Sequence, residues 1–274
     1  LRGIIDERRR KGNRSGHFLL LGSASLELMH QSSETLAGRV ACLDIGPLHA
    51  REPHGASLDT LWLRGGFPES LLARSDAASL RWRQDFIRSY LQRDIPMFAP
   101  RLPADTLGRL WTMLAHQHGA MLQQSRLASA LGVSNPAVDR YIGLLVDLRL
   151  VRRLPPWSEN VGKRLVKSPK VYVRDSGIVH ALLALKNLHD LLGHPVCGPS
   201  FESFCIENLL AVTPDHDAYC YRTHVGAEID LVLARGGRPN IAIEIKRSSA
   251  PSLSKGFAMA CDDLRIEERY LLYP

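Results

Sequence analysis

Ala227-Glu228-Ile229-Asp230-Leu231-Val232-Leu233, then Gly236-Gly237, then Ile241-Ala242-Ile243-Glu244-Ile245-Lys246: this stretch decides how the last part of the chain folds. Apolar and polar residues alternate strictly on both sides of the two glycines, the pattern of two strands joined by a short turn. Side chains on a strand repeat every two residues. Ile229, Leu231 and Leu233 are therefore expected on one face with Ile241, Ile243 and Ile245, and Asp230, Val232, Ala242, Glu244 and Lys246 on the other. Two carboxylates and a lysine on one face of a buried hairpin are costly unless they are paired or bound to a metal. Asp and Glu supply the hard oxygen ligands that Mg²⁺ prefers, which makes Asp230 and Glu244 the metal-ligand candidates. Lys246 has the charge to orient an attacking water and offset a phosphate.

Working outward, Gly198-Pro199-Ser200-Phe201 opens a helix whose apolar stripe is Phe201, Phe204, Cys205 and Leu209. Glu202 stands in its first turn, and Glu207, further along, is the rival acid. Tyr219–Tyr221 reads as a further strand. Before this region, residues 124–145 have helix-turn-helix grammar. Leu127, Ala128 and Leu131 line a first helix and Gly132 makes the turn. Ser134 is a good N-cap for a second helix carrying Val138, Tyr141, Ile142 and Leu145. Leu150–Leu154 then reads as a wing strand. The second helix offers Asn135, Asp139 and Arg140, a weaker cationic face than a major-groove reader usually brings, so packing or protein contact is the competing use. Lys163-Arg164, Lys167 and Lys170 form a cationic stretch that is either phosphate-binding or merely solvated.

From Leu58 to Gln117 the pattern is helical, with Trp62, Phe67, Trp82, Phe86, Tyr90 and Trp111 at core spacing. The N-terminal stretch predicts the end of a helix capped by Gly12-Asn13, a buried strand at His17–Leu21, helices at Leu26–His30 and up to Gly38-Arg39, and a strand at Val40–Ile45. That alternation is α/β in character. The chain opens with Leu1 in mid-pattern, which reads as a fragment with motifs upstream.

The bulk numbers fit an ordinary globular protein: 274 residues, 45% hydrophobic and 23% charged. The net charge of +7 and a pI near 9.3 are compatible with nucleic acid but assign no partner. Five scattered cysteines without CxxC pairing argue against a disulfide framework or a zinc site. No apolar run approaches the roughly 18 residues that a bilayer span needs, and no signal peptide is visible, so a cytoplasmic protein with no membrane partner is expected.

The order of helix acid, Asp and Glu-x-Lys resembles the PD-(D/E)XK nuclease superfamily. That resemblance implies catalytic positions at Glu202, Asp230, Glu244 and Lys246, Mg²⁺ on Asp230 and Glu244, and DNA as substrate. The competing reading is a structural salt-bridge cluster on a degenerate nuclease fold. Nearly end to end, the chain also resembles bacterial and archaeal ATP-binding proteins with a DUF4143 C-terminal region, related to AAA+ and STAND ATPases. The residues that carry this are Phe18–Leu21 with Gly22-Ser23-Ala24-Ser25, Leu36-Ala37-Gly38-Arg39, Gly65-Gly66-Phe67-Pro68-Glu69, Lys170-Val171-Tyr172, Asp175-Ser176-Gly177, Phe201-Glu202 and the Glu-x-Lys strand.

In that family the P-loop and Walker B acid lie upstream. No Gly-x4-Gly-Lys-Ser/Thr occurs in this chain, so ATP is expected only in an intact parent. The family likeness implies Ser23 or Ser25 near the γ-phosphate and Arg39 as an arginine finger, with a helix C-terminal cation as the alternative for Arg39. A homo-oligomer through the ATPase part is the implied assembly.

The expected fold is α/β and α+β multidomain: a remnant of a P-loop ATPase sheet over 1–57, a helical and winged-helix middle over 58–165, and a restriction-endonuclease-like domain over 166–274. The expected function is the C-terminal portion of a P-loop ATPase, associated with nucleic acid and cutting phosphodiesters with Mg²⁺. The alternative is a non-catalytic nucleic-acid or protein docking and regulatory module of an ATPase switch.

Overall fold

The computed structural model describes residues 1–20, 36, 38–41, 43, 45–52, 55–98, 102–158 and 165–274. The first helix, α1, runs Arg2–Arg10, and Gly12 takes a left-handed backbone (φ 95°) just past its end. The apolar residues that follow do not form the expected strand. Phe18, Leu19 and Leu20 are exposed coil, and Leu43 and Ile45 are 87% and 91% exposed. An apolar run becomes a buried strand only where neighbouring strands take up its backbone groups and layers cover its faces. The described residues supply neither. Leu21, Cys42, Asp44 and the helix expected at 26–30 lie outside them.

The helical middle forms as its pattern requires. Helices α2 (Leu58–Arg64), α3 (Pro68–Leu71) and α4 (Asp76–Ser89) are followed by a π-turn at Tyr90–Asp94 and a short α5 (Ile95–Phe98). Ser57 and Ser75 cap α2 and α4 by accepting from Thr60 and Ala78 N–H. Trp62 is buried, and Phe67, Trp82, Phe86 and Tyr90 form a ladder of rings with centroids 4.9–5.6 Å apart. Trp62 and Trp111 are core, Phe67, Phe86 and Tyr90 pack half-buried against it, and Trp82 stacks on Phe86 at its edge.

Next come α6 (Ala104–His116), α7 (Gln124–Leu131) and α8 (Asn135–Asp147). Gly132 turns between α7 and α8 with φ 68°, and Ser134 caps α8 by accepting from Ala137 N–H. Leu127, Ala128, Leu131, Val138, Tyr141, Ile142 and Leu145 all bury, as the sequence grammar requires. Strands β1 (Val151–Leu154) and β2 (Lys170–Val173) then pair antiparallel, and Met121 bridges to Lys170 alongside them. Helix, bridge, two helices and a hairpin is the winged-helix order. The wing strand β2 lies beyond residue 165 but pairs with β1, which precedes it.

Helices α9 (Ser176–Leu182), α10 (Leu188–Leu192) and α11 (Cys197–Val212) lead to a four-stranded sheet in the order β3-β4-β5-β6. Its strands are β3 (Asp217–Arg222), β4 (Glu228–Arg235), β5 (Arg238–Ile245) and β6 (Glu268–Leu272). Helix α12 (Lys255–Leu264) carries the chain from β5 to a parallel β6. Gly236 and Gly237, with φ 60° and 75°, form the two-residue turn of the β4–β5 hairpin, where Arg235 pairs with Arg238. Positive φ at both turn positions is what the tightest hairpins demand and what glycine gives cheaply.

The sheet is covered on both faces. Leu231, Leu233, Ile243 and Ile245 join the main core, which is continuous with the winged helix. Ile229, Val232, Ala234 and Ala242 pack instead with Phe257, Ala260 and Cys261 of α12. The wing also docks directly on the sheet: Pro156 bridges to Cys220 and Leu165 to Thr223.

Candidate functional site

Lys170 is the first residue of wing strand β2, and its ammonium is buried among three acids. Nζ lies 2.9 Å from Glu202 Oε1 on α11, 3.1 Å from Glu228 Oε1 and 3.1 Å from Asp230 Oδ1, both on β4. The Tyr172 hydroxyl also donates to Glu202 Oε1, and Arg222 stands 3.6 Å from Glu228 Oε2. Burial alone would lower the Lys170 pKa, but Glu202, Tyr172, Asp230 and Glu228 together hold it well above the usual lysine range. The lysine is therefore charged at neutral pH. Glu202 is pushed up by burial and by the Asp230 carboxylate, against the pull of Lys170.

Strict alternation fails at Asp230. Tyr219 pairs with Val232 and Tyr221 with Ile229, so β4 carries one residue more than β3 between them. Such a bulge moves the side chains before it to the opposite face. Ile229 consequently packs with α12 rather than with Leu231. Asp230 turns toward Lys170 with one oxygen, while Oδ2 accepts the Ile245 N–H at 3.0 Å, beyond the last β4–β5 pair of Leu231 and Ile243.

Glu244 and Lys246 have other partners. Glu244 Oε1 is 3.1 Å from Lys246 Nζ, and Oε2 accepts the Ser254 N–H at 3.0 Å, where Ser254 caps α12. Lys246 also donates to Ser252 O. The four sequence candidates therefore fall into two pairs, Glu202 with Asp230 and Glu244 with Lys246. Among the described residues no hydrogen bond or ion pair joins the pairs. Glu207 belongs elsewhere again, between Arg152 and Arg174, which separates it from Glu202 as the acid beside the hairpin.

Asp230 and Glu244 thus spend all four carboxylate oxygens on partners within the chain. Among the described residues no group of three His, Cys, Asp or Glu side chains is placed to hold a metal ion. In this arrangement every one of those carboxylate oxygens already accepts a hydrogen bond or faces an ammonium, so a Mg²⁺ on Asp230 and Glu244 would have to share or displace Lys170 and Lys246. Arg39 makes a bidentate pair with Asp6, Nε to Oδ1 at 2.8 Å and Nη2 to Oδ2 at 3.0 Å. Ser23, Ser25 and Lys163-Arg164 lie outside the described residues.

Two motifs without an obvious sequence role meet in space. The Asp175 carboxylate accepts the Gly66 N–H at 2.8 Å and the Ile178 N–H at 2.9 Å, tying α2 to the start of α9. A Cβ on Gly65 would lie 2.1 Å from Asp175 Oδ1, and one on Gly177 would lie 2.2 Å from Arg64 O. Only glycine permits that approach. Fully buried Arg83 spans the same junction, donating to Gly177 O at 2.7 Å and Leu63 O at 3.2 Å. Burial lowers its pKa to about 10, so it stays charged at neutral pH.

Two buried histidines pin α11. His180 bonds Leu63 O and Ser200 Oγ, and Ser200 Oγ also accepts from Trp62 Nε1. His118 bonds Ser203 Oγ and accepts the Val173 N–H. Burial lowers both pKa values to about 3. Among the described residues neither His–Ser pair has a carboxylate partner, and both histidines are buried, so they act as structural fastenings. Three of the cysteines, Cys205, Cys220 and Cys261, are buried, and burial pushes the Cys205 thiol up to about 12, which suits inert core residues.

The winged helix presents little cation on α8. Asp139 pairs with Arg153 at 2.9 Å, Arg140 lies over the Tyr141 ring, and Asp147 is exposed.

Two family profiles match the chain. Residues 55–189 match DUF8612 and residues 197–274 match DUF4143, each a domain of unknown function. The C-terminal sheet and α11 thus fall in the DUF4143 region. The chain is 42% identical over 257 residues to the "Uncharacterized protein Rv2008c" of Mycobacterium tuberculosis and to the "Uncharacterized protein Mb2031c" of Mycobacterium bovis. The match covers 94% of this chain and 58% of each relative, so the chain spans under two thirds of their length. No solved structure matches it. No helix among the described residues is long and apolar enough to cross a membrane.

Proposed function

We propose that this chain is the docking and regulatory portion of a P-loop ATPase, and that its winged helix and nuclease-like sheet form one non-catalytic unit that engages a protein partner. The observation that carries this reading is Lys170. A fixed positive charge from the wing sits between Glu202 and Asp230, where a metal-dependent nuclease would need a divalent cation. A buried ion cluster of this kind serves to hold two modules in register, a use for which buried ionic groups are well suited.

The choice of protein over nucleic acid rests on α8. Its exposed face sets Asp139 and Asp147 against Arg140, which disfavours a phosphate-lined groove. The ATPase parentage rests on the sequence resemblance alone, carried by Gly65-Gly66-Phe67-Pro68-Glu69, Asp175-Ser176-Gly177 and Phe201-Glu202.

The test is incubation of the purified chain with plasmid and Mg²⁺ or Mn²⁺, beside Asp230→Ala and Lys246→Ala. Equal and negligible nicking by all three is expected. Metal-dependent nicking that both substitutions abolish would return the chain to the nucleases. Salt-sensitive retention on a DNA column, lost with Arg140→Ala, would replace the protein partner with nucleic acid.

A further inference from the structure

A second site lies on the far side of α11 from the lysine cluster. A cavity of about 580 Å³ opens between the 45–52 segment, the start of β1, the end of β2 and the outer face of α11. Its apolar wall is Pro47, Leu48, Leu61, Phe204, Leu210 and Ala211. Facing that wall are three arginines, Arg149, Arg152 and Arg174.

Glu207 organises two of them. Its Oε1 accepts from Arg152 Nε, and its Oε2 accepts from Arg152 Nη2 at 2.9 Å and Arg174 Nε at 3.0 Å. Burial would raise the Glu207 pKa, but these guanidinium groups hold it below the usual carboxylate range. One carboxylate therefore fixes two guanidinium planes and neutralises one charge of the two. Both Nη groups of Arg174 and Nη1 of Arg152 carry no hydrogen bond to a described residue.

The other acids that line the cavity among the described residues, Asp175 and Glu52, are committed. Asp175 is held by two backbone N–H groups and feels the buried Arg83 behind it. Glu52 accepts the His49 N–H at 2.8 Å and lies 3.7 Å from the His49 ring. Arg152 and Arg174 against the single Glu207 carboxylate leave one positive charge in surplus facing the apolar wall.

We infer that this cavity binds a small molecule with an oxyanion head, phosphate or carboxylate, on a short apolar body. The head meets the guanidinium forks of Arg174 and Arg152, which match planar, bidentate oxyanion recognition. The body lies against Leu48, Leu61 and Phe204. The volume is in the range of roughly 300–1,000 Å³ usual for small-ligand pockets. Glu207 is a positioning residue here: it touches the arginines, not the ligand. The inference is independent of the docking role proposed above, because it uses none of the Lys170 cluster.

The experiment is thermal unfolding and calorimetric titration of the whole chain with phenyl phosphate, with hexanoate, and with sodium chloride at matched ionic strength. At least one of the two organic anions is expected to raise the unfolding temperature saturably, and which one does so identifies the head group. Arg174→Gln should weaken that binding by at least about tenfold. Because Arg174→Gln also removes a partner of Glu207, Ala211→Phe serves as the second variant: it fills the wall from an exposed helix position and should abolish binding without touching the arginines. Equal shifts with chloride, or full binding by a folded Ala211→Phe variant, would overturn the inference.

Discussion

Lys170 Nζ stands 3.1 Å from Asp230 Oδ1 across 60 residues of sequence, so a strand of the wing supplies the cation for an acid of the C-terminal sheet. The link is buried and shared with Glu202 and Glu228. It makes the winged helix and the sheet depend on each other for charge balance.

The first expectation concerns that dependence. Lys170→Met leaves Glu202, Glu228 and Asp230 without their common counter-ion and should destabilise the fold by about 3–5 kcal/mol, the usual cost of removing one partner from a buried ion cluster. Urea unfolding followed by tryptophan fluorescence measures it. A loss below about 1 kcal/mol, the level of an exposed ion pair, would show that the cluster is more open to water than the geometry implies.

Acid sensitivity is the second. His118 and His180 are neutral in the fold, with pKa values lowered to about 3 by burial. In the unfolded chain they titrate near 6.5. The unfolded state therefore binds more protons below that pH, so their contribution is fully present above about pH 6.5 and is lost as pH falls toward 3. Between pH 6 and 5 the two should together steepen the stability loss toward about 2.7 kcal/mol per pH unit. His180→Gln should remove about half of that slope, read from urea midpoints across the same range. An unchanged slope would mean that His180 is not held neutral.

Glycine substitutions give a third, with opposite signs in two places. Gly177→Ala drives a Cβ to 2.2 Å from Arg64 O and should cost about 1–3 kcal/mol or more through overpacking at the α2–α9 junction. Gly143, inside α8, has nothing within 4 Å of an added Cβ, so Gly143→Ala should stabilise by about 0.5–1 kcal/mol. Thermal unfolding of both variants decides it, and a neutral Gly177→Ala would deny the close approach.

Much of this architecture is legible in the chain because it is local. The caps at Ser57, Ser75 and Ser134, the left-handed Gly132 and the paired Gly236-Gly237 turn all depend on neighbours a few residues away. The split of the hairpin acids is not local. It depends on one extra residue in β4, and a bulge leaves the alternation of apolar and polar residues intact in the sequence while breaking it in space. Lys170 reads as one cation among several in a loop, since nothing nearby reports that Glu202 and Asp230 will close on it. Gly66 and Asp175 stand out as motif residues, yet their hydrogen bond spans 109 positions. At His17–Leu21 and Val40–Ile45 the opposite holds: the sequence is apolar enough for buried strands, yet Phe18, Leu19, Leu20, Leu43 and Ile45 are exposed because the described residues offer no covering layer.

The claim at the centre is that Lys170 takes the place a divalent cation would need. Titration of the purified chain with Mn²⁺, followed by the loss of the free-ion EPR signal, tests it most directly. The account predicts no stoichiometric site in the native chain. One Mn²⁺ bound per chain, and released by Asp230→Ala, would contradict it.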